Sequence, residues 1–193
     1  MMNLIPSTKI GRVALAVGIA GVPVCWMVAG CSSAMPRRDP TGQMFPTVRG
    51  QSLEKERVEL PLAFAGGPAV ILVGYKQSAQ FDIDRWLMGL MQAKVEARIV
   101  EIPTIPGLVP TIASGWIDDG MRSGIPKEDW GSVITLYGGS AKPVAELTGT
   151  ESGPRARVIV LDSAGKVVWF DDEGYSVRKA TAVAGLVAGL SGT

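Results

Sequence analysis

In "AVILVGYKQSAQFDIDRWL" (69–87) an apolar strand runs through a polar loop into an amphipathic helix. Residues 69–75 form an unbroken apolar run, the mark of a strand buried on both faces. Lys76 to Gln80 read as a polar loop. Beyond it, Ile83, Leu87, Leu90 and Met91 recur at i, i+4, i+7 and i+8, which lines one face of a helix. Ser78 is placed to cap that helix. Asp82 and Asp84 early, with Lys94 and Arg98 late, suit the helix dipole.

The flanking sequence extends the pattern. "RVELPLAF" (57–64) reads as a short strand ahead of the turn Gly66-Gly67-Pro68. "ARIVEI" (97–102) is a second core strand, closed by Pro103. After the Pro-rich loop "PTIPGLVP", a helix near 111–122 offers Ile112, Trp116, Ile117 and Met121 as its apolar face. "SVITLY" (132–137) is a third strand. "RVIVLDSAGKVVWFD" (157–171) holds two apolar runs about Ser163-Ala164-Gly165, a hairpin signal. Ser176 can cap a last helix with Ala180, Val183, Val187 and Leu190 on one face. Gly185 and Gly189 on that helix make a small-residue face, suited to close packing against the sheet or to contact with a partner helix.

Strands alternating with helices predict a parallel sheet, and the late hairpin adds an antiparallel part. A flavodoxin-like sheet requires a helix between the last two strands, and the turn there is too short to hold one.

Composition narrows function. The 193 residues carry 19 basic and 18 acidic side chains. That near-neutral balance leaves no electrostatic footprint for nucleic acid. "GGP" and "YGGS" lack the spacing of a nucleotide-binding loop. Histidine is absent, which excludes histidine bases, triads and metal ligands. The two cysteines are Cys25 and Cys31, both near the end of the first apolar segment. From Ser32 on the chain has no thiol, hence no internal disulfide and no thiolate nucleophile. The runs Asp118-Asp119 and Asp171-Asp172-Glu173 lack the spacing of a calcium loop, and no metal or cofactor is expected.

Residues 1–30 have the layout of a secretory signal: Lys9 and Arg12, then apolar residues from Val13 to about Val28, then Ala29 and Gly30. Val28-Ala29-Gly30-Cys31 resembles the bacterial lipobox, whose cysteine is acylated with fatty acids such as palmitate and becomes the new N-terminus. The apolar stretch is short for a span of about 20 residues. By resemblance to bacterial lipoproteins, Ser32 after the cysteine favours the outer membrane over the inner, on the periplasmic side. Residues 31–44, rich in Pro, Arg and Ser, read as a flexible tether, with the folded domain at 45–193.

"FPTVRGQSLEKERVELPLAFAGGPAVILVGY" (45–75) resembles the opening of redoxin and alkyl-hydroperoxide-reductase-like domains, with Gly50 and Leu53 as a G-x-x-L pair before "LP" and the first buried strand. "IDRWL" (83–87), "GMRSGI" (120–125), "VITLY" (133–137) and "VLDSAGKVVWF" (160–170), in that order, resemble the thioredoxin-like family of the mitochondrial ATP-synthase assembly factor. The resemblance implies an α/β thioredoxin-like mixed sheet with flanking helices, and a role in binding another protein.

The departures bear on activity. Redox members of this superfamily carry a thiolate where residues 76–83 here read Lys-Gln-Ser-Ala-Gln-Phe-Asp-Ile. They also carry a cis-proline where Ala156 falls, and Pro154 is two residues early. The expectation is a lipid-anchored protein of the bacterial envelope, redox-inactive and not an enzyme, that binds an envelope protein client. Candidate contact residues are Gln77, Ser78 and Gln80 on the loop, Tyr75 and Trp86 flanking it, and Met121 and Arg122 at the helix corner, where Arg122 can pair with Asp118. The rival is a degenerate redoxin-like enzyme with a non-thiol polar site, such as Gln80 with Asp82 and Arg122.

Overall fold

The computed structural model describes residues 34–107, 111–151 and 153–192. The signal segment, Cys25, Cys31 and Ser32 lie outside the described residues. Seven strands among those described form one sheet: β1 (Val48–Ser52), β2 (Arg57–Leu60), β3 (Ala69–Gly74), β4 (Arg98–Ile105), β5 (Ile134–Tyr137), β6 (Arg157–Leu161) and β7 (Val167–Asp171). Their spatial order is β2-β1-β5-β4-β3-β6-β7. β3, β4 and β5 run parallel, while β6 pairs antiparallel with β3 and β7 with β6.

The helices are α1 (Gln80–Gln92), α2 (Thr111–Gly124), α3 (Lys142–Thr148) and α4 (Val177–Ser191). Every residue of β3 is buried, since β4 and β6 flank it and both faces are covered. One face packs Ile71, Val73, Ile102, Leu136 and Ile159 against Val144 and Ala145 of α3 and against Phe45 and Phe64. The other packs Val70, Leu72, Val158 and Val160 against α1 and α4. Each fully buried Leu, Ile or Val contributes about 1.5–3 kcal/mol.

The hairpin turn is as expected, with Gly165 at φ 84° and the Asp162 carboxylate accepting the N–H groups of Ala164 and Lys166. Ser176 caps α4 by accepting the Lys179 N–H.

Several expectations are corrected. β1 is an added strand, antiparallel to both β2 and β5. Gly50 permits it, because a Cβ there would sit 2.6 Å from Ile134 Cγ2. β4 continues through Pro103, the last residue paired with β3, so the missing N–H falls where that ladder ends. On α1 the buried face is Asp82, Ile83, Trp86, Gly89 and Leu90, while Leu87 is half-buried and Met91 exposed. α2 is rotated from its expected face: Trp116 is 78% exposed and Asp118 is buried, because Tyr137 beneath it donates a 2.7 Å hydrogen bond to that carboxylate. A Cβ at Gly185 or Gly189 would meet nothing within 4 Å, so these glycines face outward rather than onto the sheet.

Residues 35–44, read as a flexible tether, instead lie along the domain. The Met35 carbonyl accepts the backbone N–H groups of Thr150 and Glu151, and the Met35 N–H donates to Thr150 Oγ1 at 2.8 Å. Arg37 pairs with Asp172 at 2.8 Å. Gly42 and Gln43 bond to Val167, and Met44 bridges Lys166. The segment thus covers the start of edge strand β7, and an uncovered edge would invite pairing with another chain.

Candidate functional site

The junction between β3 and α1 is built from both faces of the sheet. After Gly74, Tyr75 turns towards α3, and its hydroxyl lies 2.8 Å from Thr148 Oγ1. The Arg157 guanidinium sits 5.1 Å over the Tyr75 ring. Burial pushes the Tyr75 hydroxyl up to about 12, opposed by the Thr148 hydrogen bond and by Arg157. Arg157 is itself buried, and its Nη1 donates to the Arg155 carbonyl at 2.9 Å. Burial lowers its pKa, while Tyr75 and Asp172 act in the opposite sense.

Residues Gln77–Ala79 form a single 3-10 turn ahead of α1. Ser78 is exposed and Ala79 holds the cap position, so Ser78 is not the N-cap. Asp82 anchors the helix instead. Its carboxylate is 2% exposed and accepts the N–H groups of Ala156 and Tyr175, each at 3.1 Å, and Arg85 at 3.2 Å. One side chain therefore ties α1 to the start of β6 and to the turn before α4.

Gln80 is committed inward. Its amide donates to Asp84 at 3.0 Å and to Glu101 of β4 at 3.3 Å. Glu101 is 5% exposed, and burial holds its carboxyl above the usual range; Gln80 offsets this and Asp84 adds to it.

The seven candidate contact residues do not make one surface. Gln77 and Ser78 are exposed on the loop, Gln80 is half-buried beside them, and Tyr75 is half-buried on the α3 side. Trp86 is fully buried, edge-on to Trp169 and Tyr175, so it is core and not rim. Met121 and Arg122 lie at the opposite end of the parallel strands. Arg122 donates to the Leu53 carbonyl at 2.7 Å, and the preceding residue, Ser52, faces Ile134 at the start of β5. Its ion pair is with Asp119, three residues back, rather than with Asp118. A site combining Gln80, Asp82 and Arg122 is therefore not assembled.

The acidic runs are engaged as well: Asp171 pairs with Lys179 and Asp172 with Arg37. Among the described residues, no group of three or more His, Cys, Asp or Glu side chains is placed to hold a metal ion. None of the described helices is long and apolar enough to cross a membrane.

The sequence did not single out Glu101, Arg157 or Thr148; it offered Asp172 only within an acidic run, and Asp82 only as a helix-end charge and a member of the rival polar site. A charge inside "ARIVEI" and another leading "RVIVL" were the available signals, since charged side chains are rarely buried without a partner.

The chain matches no family model, and no curated protein is similar to it in sequence. Solved structures are similar in shape. The thioredoxin domain of a thiol-disulfide oxidoreductase from Bacteroides vulgatus superposes with a TM-score of 0.52 at 18% identity, covering 76% of this chain and 97% of that one. A SCO1/SenC family lipoprotein from Bacillus anthracis gives 0.53 at 11% identity, covering 79% and 99%. BsSco, a member of the Sco family of cytochrome c oxidase assembly proteins, gives 0.54 at 11% identity, covering 80% and 97%. At these identities the likeness is one of fold. The chain has a thioredoxin-like fold.

Proposed function

We propose that this protein is a lipid-anchored, redox-inactive thioredoxin-like domain that binds another protein of the bacterial cell envelope, as a scaffold or assembly factor. The observation that carries the reading is the junction itself. Where α1 begins after β3, the chain has Gln77-Ser78-Ala79-Gln80, and no cysteine follows Cys31 anywhere in the sequence. Thiol-disulfide exchange has no nucleophile there. The exposed amide and hydroxyl of Gln77 and Ser78 remain as contacts for a client.

Two strands of support extend this. The motif order resembles the ATP-synthase assembly-factor family, and one similar structure is named as an assembly protein. The lipobox-like Val28-Ala29-Gly30-Cys31 supplies the anchor, and one similar structure is that of a lipoprotein. Ser32 favours the outer membrane.

The test is crosslinking and pull-down from membranes, run beside insulin-reduction and peroxide-turnover assays. Client capture without turnover supports the reading, and turnover above buffer overturns it. Cys31→Ser should abolish incorporation of radiolabelled palmitate; equal labelling of variant and parent would refute the anchor. The rival reading, a non-thiol polar site, draws on Glu101, whose buried carboxyl meets Gln80 beside Asp84. It predicts turnover that Glu101→Gln removes.

A further inference from the structure

The docked segment 35–44 fixes which end of the domain faces a lipid held at Cys31. Met35 is bonded to Thr150, and Arg37 to Asp172 just past the end of β7. Cys31 stands four residues before Met35. Four extended residues reach about 14 Å at most. A bilayer leaflet carries several ångströms of headgroup region outside its hydrocarbon core. An anchor this short holds that end of the domain at the membrane surface and does not let it stand off.

The same end carries the C-terminal ends of β3 and β7, which run in one direction on either side of β6, and the N-termini of α1 and α4. Tyr175, just before α4, is bonded to Asp82 of α1, which brings the two helix starts together. Each start presents a large apolar side chain to solvent: Phe81 is 75% exposed and Val177 is 69% exposed. Exposed cations stand beside them. Lys76 precedes α1, Arg155 precedes β6, and Arg178 follows Val177. None of the three forms an ion pair among the described residues. Of the acidic groups at this end, Asp172 and Glu173 are met by Arg37 and Lys179, while Glu151 accepts only the Arg37 backbone N–H and Asp84 only the Gln80 amide. Single exposed apolar residues are ordinary. Here two of them, flanked by uncommitted cations, fall on the end that a four-residue link would hold against lipid.

We propose that this end of the domain docks on an anionic lipid surface, with Phe81 and Val177 at headgroup level and Lys76, Arg155 and Arg178 facing the lipid phosphates. The proposal rests on the reading that Cys31 is acylated. Apolar side chains ringed by basic ones bind such interfaces by area burial together with attraction to anionic headgroups. The 76–80 loop then lies at headgroup height, and the client it meets is one presented by the membrane.

The test uses the full lipidated protein on vesicles containing one part phosphatidylglycerol to two of phosphatidylcholine. Val177→Cys and Ala188→Cys are labelled separately with an environment-sensitive fluorophore. These positions are on one helix, about 16 Å apart. Nitroxide-bearing lipids should quench the label at 177 severalfold more than the label at 188. In an Arg155→Glu/Arg178→Glu background, or at high salt, that excess should fall to near parity. Flotation of the parent beside Cys31→Ser reads the anchor separately. A parent that floats while both labels escape quenching overturns docking and leaves the anchor standing. Full quenching retained in the charge-reversed background also overturns the proposal. A parent that does not float removes both readings.

Discussion

Asp82 offers the most direct test of how the junction is held. Its buried carboxylate accepts two backbone N–H groups, from Ala156 and Tyr175, and pairs with Arg85. Ala156 is fully buried, so its N–H cannot turn to water once the acceptor is gone. A hydrogen bond to a charged group contributes about 1.5–3 kcal/mol, and a donor left buried adds its own desolvation penalty. Asp82→Ala should therefore destabilise the fold by about 3–5 kcal/mol. Arg85 is 63% exposed, so solvent screens its share, and Arg85→Ala should lose no more than about 1 kcal/mol. Asp82→Asn keeps one oxygen acceptor but turns an N–H against the second donor, so it should lie between, at about 1–3 kcal/mol. Equilibrium urea unfolding, read by far-UV circular dichroism and by tryptophan fluorescence, gives the ranking, with the slope in denaturant unchanged. If Asp82→Ala loses less than about 1 kcal/mol, or no more than Arg85→Ala, the reasoning fails. Apolar packing of Ile83, Trp86 and Leu90 would then suffice to hold α1.

Other outcomes follow from the same geometry. The Glu101 carboxyl has a folded pKa above its ordinary 4.5, so it stabilises the fold below that value and loses this contribution as pH rises through the folded value. Glu101→Gln should thus be more stable than the parent at pH 7, with the gap closing below pH 4.5; a gap that widens on acidification would refute the burial argument. Gln77→Ala and Ser78→Ala should each shift stability by no more than about 0.5 kcal/mol, as exposed positions do, while Leu90→Ala loses about 2–5 kcal/mol. Gln77→Ala/Ser78→Ala, at the two exposed loop positions, should lose client capture in membrane pull-downs with the fold intact, and equal capture would move the interface elsewhere. Gly89→Ala should destabilise, although alanine gains about 1 kcal/mol of helix propensity, because its Cβ would strike the Tyr175 ring that lies edge-on to Trp86. A more stable Gly89→Ala would show that the ring is not fixed there.

The plan of the fold is written in local pattern. An apolar run with no polar interruption can only be buried on both faces, which made β3 central. A three-residue turn between two apolar runs can only be a hairpin, which fixed β6 and β7. The absence of thiol and histidine after Cys31 is equally a property of the sequence. Periodicity located the helices but misjudged their facing. Apolar spacing put Trp116 inward and left Asp118 out, whereas Tyr137 on β5 supplies a hydroxyl that draws Asp118 in and turns Trp116 to solvent. Composition likewise misread residues 35–44, because Pro, Arg and Ser are as compatible with an edge-covering segment as with a free tether. What chose between them was the partners, Thr150, Asp172 and Val167, all more than 100 residues away in the chain. Asp82 is the same case: its role depends on two N–H groups, those of Ala156 and Tyr175, that arrive 74 and 93 residues later. Local pattern sets which segments become strands and helices, because their periods are properties of neighbouring residues. Which polar side chain is buried, and against what, depends on groups that only the closed sheet brings within 3 Å or so of each other, a hydrogen-bond length.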